Sequence, residues 1–306
     1  MLAIVAPGQG AQKPGMLTPW LELPGVAESL ARFSAAAELD LHRLGTEADA
    51  EEIKDTAITQ PLVVAAALLA AELLPIPANG VTAGHSIGEL AAAAVAGVID
   101  AEQAVGLSAL RGRAMREACA LVPTSMAACM NPDIELILAA LAERNLVGAN
   151  VNGAGQVVAA GATADIAALA GHPPEKIRVI PLQVAGAFHT DYMGPARTAL
   201  APAIAAASPA DPTWQLLTNR DGSVIGSGRD YLDLVLGQIT SPVRWDRCMA
   251  SLTELGVTGV LELPPAGTLV GLIKRDRKDI ATLALKSPAD LDAARAFIAD
   301  HAGAAA

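Results

Sequence analysis

The sequence predicts an α/β fold in which a small domain interrupts a larger one. Three observations predict it. Short apolar runs alternate with helical segments along the first part of the chain, as in parallel βα units. A Gly-x-Ser-x-Gly turn joins one such run to an Ala-rich helix. The middle of the chain reads β-α-β-β-α-β over about sixty residues, a ferredoxin-like arrangement. The expected division is 1–123 with 187–306 for the larger domain and 124–186 for the smaller, with boundaries near Pro123 and Gly186.

The composition is that of a globular, acidic protein. Of its 306 residues 52% are hydrophobic and 17% charged, so the chain can bury a large core. The net charge of −11 argues against broad binding to nucleic acid or to an anionic membrane. The start reads as a strand rather than a signal peptide, and the longest apolar stretch, 62–71, is too short to span a bilayer. We therefore expect a cytoplasmic location.

Three cysteines, Cys119, Cys129 and Cys248, are widely spaced and have no metal-like pattern. Such spacing predicts reduced thiols that fill the core rather than a disulfide, a metal site or a nucleophile.

The first predicted strand, residues 2–6, runs into the loop Pro7-Gly8-Gln9-Gly10-Ala11-Gln12. This loop lacks the third glycine of a dinucleotide fingerprint, and Lys13 is followed by Pro14 rather than by the residues of a phosphate loop. Gln9, between two glycines, could present its side chain or its amide to a site. Residues 55–71 then predict a long buried helix.

The next strand, 81–83, leads into Gly84-His85-Ser86-Ile87-Gly88-Glu89 and then into an Ala-rich helix. Strand, Gly-x-Ser-x-Gly and helix in this order are the setting of a nucleophile elbow, in which a strained serine is exposed at the top of a sheet. The amide of Ile87 then lies at the helix N-terminus and can donate to a developing oxyanion. An ordinary Gly-rich βα turn is the alternative, because the motif is short.

Residues 101–120 predict a helix that begins at an Asp100 cap and carries Arg111, Arg113 and Arg116, interpreted as a solvated basic face. Strands at 125–129, 147–151, 156–160 and 178–184, with helices at 134–144 and 164–170, form the predicted small domain. Asn152-Gly153-Ala154-Gly155 is a hairpin turn signal. The rest of the chain predicts helices at 195–207, 231–239 and 288–301 and strands at 214–218, 257–263 and 282–285.

A serine at neutral pH needs a base within hydrogen-bond reach. Of five histidines, three lie in polar or terminal surroundings, and His85 is expected to point away from Ser86. His189 lies in a Gly/Ala/Phe loop after a predicted strand, where active-site side chains are often placed. A structural histidine is the alternative at this position. No Asp is an evident third triad member, so a dyad with His189 held by a backbone group is a further possibility.

Five motifs in order make the chain resemble the malonyl-CoA:acyl carrier protein transacylases, the stand-alone acyltransferases of type II fatty-acid and polyketide synthesis. The resemblance runs from end to end. The motifs are the 7–12 loop, the 84–89 serine turn, Arg111 placed 25 residues after that serine, Gly186-Ala187-Phe188-His189, and 238–245 as Gln-x-x-x-Pro-Val-x-Trp.

The resemblance implies an α/β-hydrolase-like large domain with the ferredoxin-like domain inserted, and a role for each matching position. Ser86 attacks the thioester of malonyl-CoA and His189 takes its proton. The amides of Gln9 and Ile87 hold the oxyanion. Further roles are a grip on the malonyl carboxylate by Arg111, orientation of the histidine by the carbonyl of Gln238, and a place in the pocket wall for Asn152. The malonyl-serine then passes its acyl group to the phosphopantetheine thiol of an acyl carrier protein, and no metal or redox cofactor is expected.

Further expectations concern specificity, partners and oligomeric state. The ring of Phe188 beside the base is expected to disfavour an α-methyl branch, so malonyl is preferred over methylmalonyl. Lys274, Arg275, Arg277 and Lys278 form a basic cluster that could meet an acidic carrier protein or could be a solvated face. Where the family has a Gly-Pro-Gly-like turn this chain has Pro264-Pro265-Ala266-Gly267. The expected oligomeric state is a monomer.

Three alternatives stay open. The first is a pathway-specific, trans-acting polyketide acyltransferase that uses another extender unit. The second is a serine thioesterase or esterase with the same elbow, against which Arg111 and the missing triad acid argue. The third is a non-catalytic protein that binds the acyl carrier as a scaffold.

Overall fold

The computed structural model describes residues 1–302 as a mixed α/β structure with two sheets. The strands are β1 (Leu2–Ala6), β2 (Val81–Gly84), β3 (Thr124–Met130), β4 (Val147–Gly153), β5 (Gln156–Ala162), β6 (Arg178–Pro181), β7 (Gln215–Leu217), β8 (Val224–Ile225), β9 (Val243–Arg244), β10 (Gly259–Glu262) and β11 (Ala281–Ala284).

The α-helices of the same residues surround these sheets. They are α1 (Val26–Ala37), α2 (Leu41–Thr46), α3 (Thr56–Glu72), α4 (Gly88–Val95), α5 (Ala101–Cys119), α6 (Ile134–Ala142), α7 (Thr163–Gly171), α8 (Gly194–Ala206), α9 (Gly228–Gln238), α10 (Trp245–Glu254), α11 (Thr268–Asp276) and α12 (Leu291–His301). None of these helices is both long and apolar enough to cross a membrane.

The first sheet has the strand order β11-β10-β1-β2-β7-β8 and is parallel except for the last pair. Every residue of β1 is buried because helices cover both faces of the sheet. Its side chains alternate between two cores: Leu2, Ile4 and Ala6 belong to one, and Ala3 and Val5 to the other. A continuous apolar run is therefore the correct signal for this strand.

The second sheet has the order β6-β3-β5-β4-β9. Its first four strands are antiparallel neighbours, and α6 and α7 pack on it around a core of its own. The fifth strand, β9, pairs parallel to β4 with Asn150 opposite Val243. Strand β9 is too short to be predicted from the sequence, because two residues cannot show a periodicity.

Most elements predicted from the sequence are confirmed, with boundaries that differ by a few residues. The hairpin turn joins β4 to β5, with Gly153, Ala154 and Gly155 all at positive φ. The predicted strand at 178–184 ends early, at Pro181. Cys119, Cys129 and Cys248 are free, and burial raises the pKa of each thiol. Core filling is thus the role that their surroundings support.

Candidate active site

The turn at Ser86 is a tight strand-to-helix connection that only glycine permits on either side. A Cβ added to Gly84 would lie 1.9 Å from the carbonyl carbon of Gly88, and one added to Gly88 would lie 2.3 Å from the carbonyl oxygen of Ala6. Ser86 itself has a φ of 53°, in the left-handed region that a side chain rarely adopts. The geometry is that of a nucleophile elbow.

His189 contacts the serine across the chain. Its Nε2 lies 2.8 Å from Ser86 Oγ, and its Nδ1 lies 2.8 Å from the carbonyl oxygen of Gln238. A carbonyl can only accept, so Nδ1 carries the proton and Nε2 presents its lone pair to the serine hydroxyl. Burial, reinforced by the positive charge of Arg111, lowers the pKa of His189 to about 3. The imidazole is therefore a neutral acceptor at neutral pH.

The reaction of Ser86 with a neutral alkyl fluorophosphonate is expected to depend little on pH between 5 and 7. The lowered pKa of His189 keeps the imidazole unprotonated throughout this range. An imidazole with an ordinary pKa of about 6.5 would instead lose about 25-fold in rate at pH 5. Labelling rates measured by intact mass, with Ser86→Ala as the blank, decide between the two. A decline centred near pH 6.5 would contradict the assigned environment.

The two backbone amides predicted to bind an oxyanion are that of Ile87, the residue after the serine, and that of Gln9, which lines the same cleft. Among residues 1–302, neither the N–H of Ile87 nor that of Gln9 donates a hydrogen bond to another protein group. The side chain of Gln9 is fixed instead, because its Oε1 accepts from Thr56 Oγ1 at 2.6 Å. Both amides are thus available as donors.

Arg111 is 1% exposed and lies beside the serine. Its guanidinium donates to Gln60 Oε1 at 2.7 Å and to Gln238 Oε1 at 2.9 Å, and one nitrogen lies 3.4 Å from Ser86 Oγ. Its Nε has no partner within the described part of the chain. Burial lowers the pKa of Arg111 to about 10, so it stays charged at neutral pH.

The interpretation of Arg111, Arg113 and Arg116 as one solvated face is wrong for Arg111. Arg116 is exposed and pairs with Asp55, and the half-exposed Arg113 pairs with Glu38. Arg111 instead faces inward, because α5 packs against α3 and α4 on that side. The helix therefore carries one buried cation.

A cleft of about 240 Å³ contains these groups. Ser86, Arg111 and His189 all line it, and apolar side chains including Phe188 form much of the wall. Its remaining lining includes Gln9, Lys54, His85, Asn152, Met115, Met126, Leu182 and Leu272. Such a mixture of apolar wall and few convergent polar groups is typical of a small-molecule site.

Asn152 lines the cleft from β4, and its Oδ1 lies 2.9 Å from His85 Nε2. His85 lies in the cleft wall, with its ring 5.7 Å from that of Trp245. The contact therefore joins the elbow to the second sheet.

Sequence analysis missed Gln60, Glu89 and Asn219 as parts of the site. Glu89 and Asn219 are 1% and 0% exposed and bond to the elbow and to each other. The only available signal was that Glu89 ends the serine motif.

The basic cluster lies toward the C-terminal end of α11. Lys274, Arg275 and Lys278 are exposed, whereas Arg277 pairs with Asp276 at 2.9 Å. The other end of this helix, at Thr268, Leu269 and Leu272, lines the cleft. Its N-terminus is fixed by Glu262, whose carboxylate accepts hydrogen bonds from the amides of 267, 269 and 270.

The fold and the site together define an enzyme of mixed α/β architecture with a Ser–His pair on a strand–turn–helix beside a buried arginine. The chain belongs to the acyl transferase family, since the family model for the acyl transferase domain matches residues 4–295.

Known proteins of this family resemble the chain over nearly its whole length. It is 52% identical to the malonyl CoA-acyl carrier protein transacylase of Mycobacterium tuberculosis, over 95% of this chain and 98% of that protein. A crystal structure of MCAT from Mycobacterium tuberculosis matches with a TM-score of 0.93 and 51% identity, over 96% of this chain and 99% of that one. A malonyl-transacylase in complex with a type II polyketide acyl-carrier protein matches with a TM-score of 0.88 and 31% identity, over 96% and 99% of the two chains.

Proposed function

We propose that this protein transfers a malonyl group from malonyl-CoA to the phosphopantetheine thiol of an acyl carrier protein, through an ester on Ser86. The observation that carries the proposal is the buried guanidinium of Arg111 beside a Ser–His pair, with one nitrogen 3.4 Å from Ser86 Oγ. A fixed cation next to the nucleophile selects an acyl group that carries its own carboxylate. The names of the relatives agree with this chemistry.

The first half-reaction loads the serine. His189 Nε2 takes the proton of Ser86 Oγ as this oxygen attacks the thioester carbonyl. The Ile87 and Gln9 amides stabilise the tetrahedral oxyanion, a kind of donor whose loss costs about 3 to 4 kcal/mol in other enzymes. The imidazolium returns the proton to the departing CoA sulfur, and the carbonyl of Gln238 holds the ring through Nδ1–H during both transfers.

The second half-reaction is the first in reverse with a different thiol. His189 deprotonates the phosphopantetheine thiol, the sulfur attacks the ester, and the alkoxide of Ser86 recovers the proton. Thioester is exchanged for thioester, so the cycle needs neither a redox reagent nor a metal ion, and we assign no cofactor.

We also propose the finer architecture and the partner surface. The first sheet, with its elbow, is an α/β-hydrolase-like domain of 1–123 and 187–306, and 124–186 is a ferredoxin-like insertion whose β6-β3-β5-β4 order supports this reading. Lys274, Arg275 and Lys278 are proposed to dock the acidic carrier, because the first two lie in the last turn of α11, Lys278 follows that helix, and the other end of the helix lines the cleft. Arg277 is held by Asp276 and contributes less. The enzyme is proposed to act as a cytoplasmic monomer.

Intact-mass spectrometry of the protein mixed with malonyl-CoA tests the proposal. A malonyl adduct is expected, and it should disappear on addition of holo carrier protein as the carrier gains the same mass. Apo carrier, which has no thiol arm, is the matched control. Release of free malonate without carrier loading would favour a thioesterase, and an adduct formed only from another acyl-CoA would favour a different extender unit. No adduct from any donor would favour a scaffold.

Phe188→Ala is expected to raise the kcat/KM ratio of methylmalonyl-CoA to malonyl-CoA about tenfold. The ring lines the cleft next to His189, and space for one methyl group is worth about 1 to 3 kcal/mol. Both donors are assayed on the same preparation, so a loss of folded protein cancels in the ratio. An unchanged ratio would show that another wall of the cleft excludes the branch.

A further inference from the structure

Two buried polar side chains that take no part in the proposed chemistry lie directly beneath the elbow. Asn219 and Glu89 are 0% and 1% exposed. Polar groups buried this deeply are costly unless they are hydrogen-bonded. Both side chains form hydrogen bonds with the residues that hold the nucleophile, the base and the arginine.

The Asn219 side chain binds the backbone of the elbow at two points, at the strained residue Ser86 and at Gly84, two positions before it. Its Oδ1 accepts from the N–H of Ser86 at 2.8 Å, and its Nδ2 donates to the carbonyl of Gly84 at 2.7 Å. A left-handed conformation at a serine persists only where the surroundings enforce it. The amide of Asn219 is placed to enforce it.

Glu89 fixes the next layer. One carboxyl oxygen accepts from the backbone N–H of Asn219 at 2.5 Å, and the other accepts from Gln238 Nε2 at 2.5 Å. Burial raises the pKa of Glu89 to about 8, while the two N–H donors and the charge of Arg111 act in the opposite direction.

Gln238 connects this layer to the reacting groups. With its Nε2 directed at Glu89 and at the carbonyl of Ser86, its Oε1 faces Arg111 and accepts from the guanidinium at 2.9 Å. Its main-chain carbonyl meanwhile binds His189. The same residue thus holds the base through its backbone and the arginine through its side chain.

We propose that Asn219 and Glu89 are positioning residues: Asn219 aims Ser86 Oγ at His189, and Glu89 aims the Arg111 guanidinium through the side chain of Gln238. The part that concerns Arg111 rests on the function proposed above. The part that concerns Asn219 rests on the geometry of the elbow alone.

Asn219→Ala and Asn219→Asp test the first part. Alanine loses both bonds to the turn, and aspartate keeps the acceptor for Ser86 but sets an oxygen against the carbonyl of Gly84. We expect the fluorophosphonate labelling rate of Ser86 to fall at least tenfold in both variants, with kcat for malonyl transfer falling in parallel and KM for malonyl-CoA changing less than threefold. If the folded Asn219→Asp variant were labelled by fluorophosphonate as fast as the unmodified protein, this part of the proposal would be overturned.

Glu89→Gln tests the second part. The new amide sets its N–H₂ group against one of the two N–H donors, at Asn219 or at Gln238, so it cannot accept from both as the carboxyl group does, and the Gln238 side chain is held less firmly. We expect the preference for malonyl-CoA over acetyl-CoA to fall about tenfold, with a smaller effect on fluorophosphonate labelling. An unchanged preference would overturn the role of Glu89.

Ser29→Ala is the matched control for general destabilisation. Ser29 is also a buried polar residue, 6% exposed, and its hydroxyl donates to Glu72 at 2.6 Å in a part of the core away from the cleft. All rates are measured well below the melting temperature of each variant. If Ser29→Ala slowed labelling as much as Asn219→Asp at equal loss of stability, a merely structural role would explain the result and the proposal would fail.

Fluorophosphonate labelling keeps the two failures apart. The labelling reaction needs Ser86 and His189 but no malonyl group. Normal labelling of the unmodified protein without any malonyl transfer would therefore contradict the proposed function and leave the role of Asn219 standing. Normal malonyl transfer by the unmodified protein, together with undisturbed labelling in the Asn219 variants, would contradict the role of Asn219 and leave the proposed function standing.

Discussion

Ser86→Ala is expected to lower malonyl transfer by about 10⁴-fold or more and to remove the acyl adduct completely. The hydroxyl is the proposed nucleophile, and removal of a nucleophile that works with a base costs up to about 10⁶-fold in a comparable Ser–His system. The measurements are the single-turnover loading of holo carrier and the intact mass of the enzyme after exposure to malonyl-CoA.

His189→Ala gives the internal check on this result. Because Ser86 and His189 act as one unit through a 2.8 Å hydrogen bond, the double variant should be no slower than the more damaged single variant. An adduct that persisted in Ser86→Ala would place the acyl group on another nucleophile and contradict the assignment.

Arg111→Ala is expected to lower kcat/KM for malonyl-CoA about 10²- to 10³-fold and to leave that for acetyl-CoA much less changed. A charge-assisted hydrogen bond contributes about 1.5 to 3 kcal/mol, and a malonyl carboxylate left unpaired in the cleft adds to the cost. Acetyl-CoA has no carboxylate on its acyl group, so its reaction loses no such contact with the arginine. The ratio of the two donors, measured on the same sample, isolates the effect from any loss of folded protein.

Arg111→Lys separates charge from geometry. Alanine also leaves the amide oxygens of Gln60 and Gln238 without their donor, whereas lysine keeps a cation but loses the planar fork. We expect lysine to recover only part of the malonyl preference. Equal activity of arginine and lysine at this position would mean that a point charge suffices, and equal loss for malonyl and acetyl donors would contradict a carboxylate grip.

Local sequence signals were sufficient for most of the fold and for the elbow. The apolar run of β1, the cap at Asp100 and the glycines around Ser86 each act within a few residues, so their consequences can be worked out without the rest of the chain. The base was different: the residues alone left His189 open between a catalytic and a structural role, and only the resemblance to a family favoured the first.

The contacts that complete the site join residues far apart in the chain, and no local pattern encodes them. Asn219 reaches Ser86 across 133 positions and Glu89 across 130. Asn219 reads locally as an ordinary turn residue. By residue type alone, Arg111 is interpreted as part of an exposed basic face with Arg113 and Arg116, and its burial depends on the packing of α5 against α3 and α4. The positions of Asn219, Glu89 and Arg111 in the site can be assigned only from the three-dimensional packing of the chain.

The short strand β9 has a consequence for how substrates exchange. It follows Gln238 in the chain yet is hydrogen-bonded to β4 of the second sheet, and the N–H of Arg244 donates to the carbonyl of Asn219 at 2.8 Å. Backbone hydrogen bonds therefore join the two walls of the cleft, and a hinge motion that separated the walls would have to break these bonds. In the proposed cycle, CoA leaves the cleft before the phosphopantetheine arm of the carrier enters it, and this exchange takes place without a hinged opening of the two walls.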